Sequence, residues 1–366
     1  MKKLFLTLVA SVLCITGAQA QEATTLVATL SHDGSLSAYY GKSALADAYS
    51  AAHEGDVITL SAGTFTAVNM SKNITVRGAG MWADAKTGNT TTYIEGSFSV
   101  KQKKNDYEFT MEGLYLNDYV TIGEYSNDVT IPVNISKCYF KSYLNLNSNV
   151  FGKISQCVLP YYSSAAGTKS LYIYDGICQN CVIFSVSDQV GISPVTFQNC
   201  VIKYYANYSH ASSFTSDVIL TNCLLIGDGT RTFGANANIH SCVGFCTAVN
   251  SVDFFANVTH NSNKMVSDRE NFFKNTTLVT QNKDSYGDLS SYSIAWEGLR
   301  TDGTGLFELS DEAKQIYKGN DGTVVGVWGG TTPFNMTPTN PRISKCDIVP
   351  KVDASGKLSV TIEVAQ

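Results

Sequence analysis

The chain has 366 residues, 44% of them apolar, enough to bury the core of one large all-β domain and too many for a disordered chain. Charge is sparse and mildly acidic, 26 Lys plus Arg against 31 Asp plus Glu, with a formal net charge of −5. No basic stripe runs along the sequence, which argues against a nucleic-acid partner.

The first residues have the pattern of an export signal. Lys2 and Lys3 form a charged start, Leu4 to Ile15 an apolar stretch, and Ala18-Gln19-Ala20 a small-x-small cleavage site. The apolar stretch is too short to span a bilayer comfortably, and no other transmembrane segment is visible. Bulky Leu13 precedes Cys14 where a lipidation site would have a small residue. The expectation is cleavage near Ala20 and a mature chain from Gln21 in the periplasm, at the cell surface or outside the cell. We divide the chain into a signal peptide at 1–20, a main domain at 21–335 and a tail at 336–366.

Next comes a predicted short helix, with Ser43 as its cap and Ala44, Leu45, Ala48, Tyr49 and Ala52 on one face. Gly55-Asp56 leads into Val57, Thr59 and Leu60, followed by Gly63-Thr64-Phe65. Two early units follow, one with Ile74, Val76, Gly78 and Ala79, the other with Phe109, Met111, Gly113, Leu114 and Leu116. Residues 82–92 between them have a loop composition of Thr, Asn, Gly and Asp.

Cysteines then mark an internal period. Ile135-Ser-Lys-Cys138-Tyr-Phe140 aligns with units centred on Cys157, Cys181, Cys200, Cys223 and Cys242, at steps of 19, 24, 19, 23 and 19 residues. That is the length of one β-solenoid coil. Apolar residues fall three before the Cys, at it and usually two after it, while the residue just before it is polar. A strand alternates faces with period two, so the polar residue breaks the alternation and marks a bend. Asn180, Asn199 and Asn222 stand there, and Asn tolerates left-handed backbone angles. Gly113 serves in the earlier unit. Stacked coils are expected to bring these amides into hydrogen bonding with one another.

From 247 to 300 the repeat fades. A run from Phe307 through Gly319-Asn320-Asp321-Gly322 to Trp328-Gly329-Gly330 is taken as a closing coil, and Pro333 to Pro341 as a joint. Leu358, Val360, Ile362 and Val364 alternate, and Asp353 to Gly356 can turn the chain back onto 343–351, which predicts a C-terminal β-hairpin.

The stretch from Ala44 to Tyr49, through Gly55-Asp56 and Val57 to Leu60, to Gly63-Thr64-Phe65, resembles the opening of the pectate-lyase-like superfamily. The resemblance extends over roughly residues 35–335, and the run ending at Gly330 looks like the close of exported β-helix proteins of gut Bacteroidetes. It implies an all-β fold, a right-handed parallel β-helix with an N-terminal capping helix. Such a cap covers the terminal sheet edge that would otherwise recruit other chains.

The chemistry-bearing residues are read against that scaffold. Of ten cysteines, Cys14 lies in the leader, and the remaining nine are an odd number for pairing. Cys178-x-x-Cys181 has ligand-like spacing, yet Cys178 falls where other units carry Ile, Phe or Leu, so a buried thiol stack is expected. Neighbouring ladder cysteines about 4.8 Å apart with parallel side chains fit disulfide geometry poorly. Pairs Cys178–Cys181 or Cys242–Cys246 stay open as disulfides.

Related lyases hold calcium on clustered carboxylates and use Lys or Arg as base. Here Asp175, Asp188, Asp217, Asp228 and Asp253 share no phase of the repeat, and Asp228 beside Arg231 is read as a solvated turn. The Asn-Thr-Asp, Asp-Asp, Gly-His-Gly and Arg-Ile-Lys motifs of polygalacturonases are missing, and Val252 to Phe255 is a chance likeness to a pectin methylesterase segment. His32, His53, His210, His240 and His260 have no metal-ligand spacing, so neither a metal nor a cofactor nor a catalytic residue is assigned. Tyr161, Tyr162, Tyr172, Tyr174, Tyr204, Tyr205 and Tyr208 follow successive coils and are the candidate ligand-binding residues. Tyrosines on an outer face offer sugars an amphipathic platform, whereas tyrosines in cross-coil ladders are simply good strand residues. The expectation is a non-catalytic exported protein that binds polysaccharide or a host or cell-surface glycan, with a polysaccharide lyase or hydrolase as the alternative.

Overall fold

The computed structural model describes residues 26–83, 90–102, 106–124, 130–160, 170–184, 186, 195–204, 218–227, 232–233, 237–249, 252–258, 262–274, 279–294, 306–339, 342–348 and 360–365, the backbone alone for Tyr204 and the last two segments. Short strands wind into a right-handed parallel β-helix. One sheet has eleven strands, a second ten and a third four. In the first sheet, parallel strands run from Val57–Leu60 to Asn238–His240, each hydrogen-bonded to the coil before it. The third sheet stacks Phe98–Val100, Val120–Ile122, Leu144–Leu146 and Leu171–Tyr172.

The repeat sets the register. The position three before each Cys forms one inward column through Val76, Met111, Ile135, Ile154, Cys178, Phe197, Leu220 and Ile239. All of them are buried, Cys178 included. A one-residue slip would turn this column outward, so burial pins every coil. The residue before the Cys is left-handed in each unit: φ is 52° at Lys137, 53° at Gln156, 51° at Asn180 and Asn199, 55° at Asn222 and 52° at Ser241. Gly113, at φ 67°, occupies the same bend in the earlier unit.

The six ladder cysteines, with Cys178 and Cys246, are buried free thiols. Each ladder sulfur meets the carbonyl two residues earlier, Cys138 Sγ to Ser136 O at 3.2 Å and Cys223 Sγ to Thr221 O at 3.4 Å among them. Sulfurs also accept from the preceding coil, as Cys157 Sγ does from the Cys138 amide at 3.4 Å. Burial pushes the Cys157, Cys200 and Cys242 thiols up, so they stay protonated and inert.

At the N-terminal end, strands Val27–His32 and Ser35–Tyr40 form an antiparallel hairpin, and Val27–His32 also pairs antiparallel with Val57–Leu60. Sequence patterning did not anticipate this hairpin, which leaves Ser35–Tyr40 as the outermost strand of the sheet, while helix α1 (Ala44–Ala51) packs Ala44, Leu45 and Ala48 on the core. Ala44, Leu45, Ala48 and Ala52 are buried as expected. Ser43 makes no capping bond to the backbone; its hydroxyl donates instead to Asp47 Oδ2 at 2.7 Å.

The run 307–330 is no closing coil. After helix α2 (Asp311–Ile316), residues 319–339 form a strap that climbs back along the outside, over the bends. The Asn320 amide donates to Asn222 Oδ1 at 3.0 Å, and Asn180 Nδ2 donates to the carbonyls of Val327 and Gly329, both at 2.8 Å. Gln156 Nε2 reaches Pro333 O at 2.7 Å and Lys137 Nζ reaches Thr337 O at 2.6 Å. The strap ends on buried Glu112, whose carboxylate accepts from the Thr339 amide at 2.8 Å and hydroxyl at 2.7 Å. Asn180 and Asn222 therefore bind the strap, where an Asn-to-Asn ladder was expected. Gly329 lies against Asn199 so closely that an added Cβ would come within 2.7 Å of its amide.

This strap explains a second core. The residue after each Cys points away from the solenoid interior, yet Tyr139, Val158, Val182, Val201, Leu224 and Val243 are buried, in a cluster with Val325, Val327 and Phe334. An outward apolar column must be covered, and the strap covers it. The C-terminal hairpin forms as the sequence predicts, with Arg342–Ile348 antiparallel to Val360–Ala365.

Candidate ligand-binding surfaces

Of the candidate tyrosines, Tyr161, Tyr162, Tyr205 and Tyr208 lie outside the described residues, and so does the Tyr204 side chain. Tyr172 and Tyr174 are half-buried. Tyr172 belongs to a row on the outside of the third sheet. Tyr119 and Tyr143 precede the aligned strand residues Val120 and Leu144, and their rings stack at 5.3 Å with 7° between planes. Tyr172, aligned with Asn145, meets Tyr143 edge-on at 5.9 Å and 75°.

Coil spacing dictates this arrangement. Parallel rungs about 4.8 Å apart bring like side chains face to face, so rings in a column cover each other's faces. What points outward is a line of ring edges and hydroxyls, plus the free side of Tyr119, which is 40% exposed. Asn117, Lys141 and Asp118 flank the row, Lys141 Nζ donating to Asn117 Oδ1 at 2.9 Å. A second column, Tyr93–Tyr115–Tyr139, ends under Trp82, with centroids 4.9, 4.6 and 5.2 Å apart. Sequence reasoning passed over Tyr119 and Tyr143, although their separation of 24 residues equals a coil step.

A hollow of about 510 Å³ opens between residues 267–274 and α2. Phe272, Phe273 and Tyr317 supply apolar walls, while Asp268, Lys274 and Glu312 supply charge. The side chain and amide of Asn271 both donate to Asp268 and hold its carboxyl below its ordinary value. Lys274 pairs with Glu308 at 3.2 Å. Burial would raise Glu308, but Lys314 and Lys274 outweigh it and hold the carboxyl down. An acid kept ionised in this way is poorly placed to donate a proton at neutral pH.

Elsewhere, Asp253 Oδ1 accepts from the Phe255 amide at 2.8 Å and shapes a turn, while Phe254 and Phe255 are buried in the core. Asp228 and Arg231 lie outside the described residues. His32 and His53, 21 residues apart, do meet. Their rings stack at 4.5 Å, and His32 Nδ1 lies 2.8 Å from Oδ1 of buried Asp56. That hydrogen bond raises the His32 imidazole above its ordinary value.

No helix among the described residues is long and apolar enough to cross a membrane. No protein-family model matches the chain, and no curated protein matches it either.

Proposed function

We propose that this chain is an exported, non-catalytic β-helix protein that binds glycan or makes cell-surface contacts through the outside of its third sheet. The observation that carries the reading is the Tyr119–Tyr143–Tyr172 row flanked by Asn117, Lys141 and Asp118. A linear glycan laid along the solenoid axis would meet one tyrosine per coil, hydroxyl edges for hydrogen bonding and the open side of Tyr119 for stacking. The solenoid, its coil length and its capping helix support kinship with pectate-lyase-like β-helices of the kind that gut Bacteroidetes export, and the leader pattern supports export. A glycan array probed with the mature chain should give hits that weaken about tenfold in Tyr119→Ala. An array without hits, together with unchanged cell adhesion on deletion, overturns the reading.

A second reading, a polysaccharide lyase or hydrolase, draws on the hollow that combines Asp268, Glu312 and Lys274 with aromatic walls. It requires unsaturated-uronate absorbance or reducing-end release from acidic polysaccharides, lost in Lys274→Ala. Silence across such a panel removes it.

A further inference from the structure

We propose that His32, His53 and Asp56 form a binding site for a divalent transition metal of the zinc class, clipping the N-terminal hairpin to the first coil. Three separate pieces of the cap deliver the ligands: the end of strand Val27–His32, the turn after α1, and the residue leading into strand Val57–Leu60. One ligand atom from each residue falls within a set no wider than 4.8 Å. Zinc bonds of about 2.0–2.2 Å require ligand atoms somewhat closer together than this. The gap is small for side chains with room on the solvent side: that of His32 is 43% exposed and that of His53 69%.

The carboxylate is the fixed member. Asp56 is buried, and its Oδ2 accepts from the His53 backbone amide at 2.7 Å, which fixes the carboxylate near both Nδ1 atoms. His32 has the outer partner that metal-bound imidazoles characteristically show. While Nδ1 faces Asp56, Nε2 lies 3.5 Å from Asp33 Oδ2, so a carboxylate is ready to orient the ring from behind. His53 Nδ1 lies 3.8 Å from Asp56 Oδ2.

Two imidazoles and one carboxylate select Zn²⁺ or its neighbours over Ca²⁺ and Mg²⁺, which demand oxygen ligands. A fourth position is left to solvent. A hydrogen bond between His32 and Asp56 alone would account for those two residues, but not for the second imidazole stacked on the first.

The test is calorimetric titration of ZnCl₂ into the untagged, chelator-treated full chain, with Co²⁺ as a spectroscopic substitute. One equivalent should bind, raise the thermal midpoint and give the visible band of tetrahedral Co²⁺. Exposed His53→Ala should fold normally by circular dichroism and bind at least tenfold more weakly, and His32→Ala/His53→Ala should lose the site. The double variant keeps every cysteine, so unchanged Zn²⁺ stoichiometry and affinity in it would overturn the proposal. Absence of binding by the parent chain, or Ca²⁺ binding there in preference to Zn²⁺, would overturn it equally.

Discussion

The coils from Ile131 to Cys246 and the strap at 319–339 are held in different ways. The coils are built from one repeated pattern, and each is fixed by an inward apolar column and by ladder hydrogen bonds to its neighbours. The strap carries no repeat; Val325, Val327 and Phe334 pack on the outward apolar column, and polar groups at the coil bends, Asn222, Asn180, Gln156 and Lys137, with Glu112 beside the Gly113 bend, fix its path. A left-handed bend turns its side chain out of the solenoid, and Asn222, Asn180, Gln156 and Lys137 each fasten a segment that lies up to 200 residues away in sequence. One conformational rule therefore builds the solenoid and also supplies the surface that a non-repeating segment can read.

Breaking the coil side should cost most. Phe197→Ala empties a fully buried position in the inward column and is expected to destabilise by about 3–5 kcal/mol, measured by urea unfolding. On the strap side, Asn180→Ala removes two hydrogen bonds to the strap and places a Cβ-bearing apolar residue at φ 51°, a loss of roughly 2–3 kcal/mol. Asn180→Gly keeps the bend and loses only the bonds, so it should fall between the parent chain and Asn180→Ala. Hydrogen exchange should then rise at 325–330 in both Asn180 variants before it rises in the coils. Equal loosening of strap and coils would show that the two are one cooperative unit.

The smallest effect, and the sharpest separation, is expected with pH. Burial against the Phe184 ring, 3.8 Å away, lowers Lys203 to about 8. Between about 8 and its ordinary value near 10.5 the unfolded chain binds more protons, so the coils should gain stability as pH rises through that window. Lys203→Met should flatten that rise. Glu308, held down by Lys314 and Lys274 near α2, gives a slope of the same sign in an acidic window. Its contribution is present above the ordinary carboxylate value of 4.5 and is lost as pH falls through the depressed folded one. Urea midpoints measured across both windows should separate the two regions.

Much of this architecture was legible beforehand because solenoid coils depend on nearest neighbours. The Cys period, the apolar residue three before each Cys and the Asn or Gly at the bend are local signals, and burial leaves them a single register. The strap was not legible, since its partners are far apart in sequence and lie on the outside of other coils. One signal did point to it: Tyr139, Val158, Val182, Val201, Leu224 and Val243 make the outward column apolar, and an apolar outward column must be covered. Of the tyrosine candidates only Tyr172 belongs to the described row, and its partners Tyr119 and Tyr143 were passed over. Whether a ring face is open depends on what stacks against it, and Tyr143 stacks against Tyr119.

The sequence by itself determined the β-helix, its coil length, the buried thiol column and the C-terminal hairpin, because alternation and periodic burial act over one coil at a time. Only the tertiary structure decided that 319–339 runs back over the bends, that the tyrosine rings stack on one another, and that His32, His53 and Asp56 converge. The strap and the histidine cluster join segments with no common period, so no spacing in the chain could encode them, and the tyrosine stack follows a coil step whose outcome depends on which rings meet.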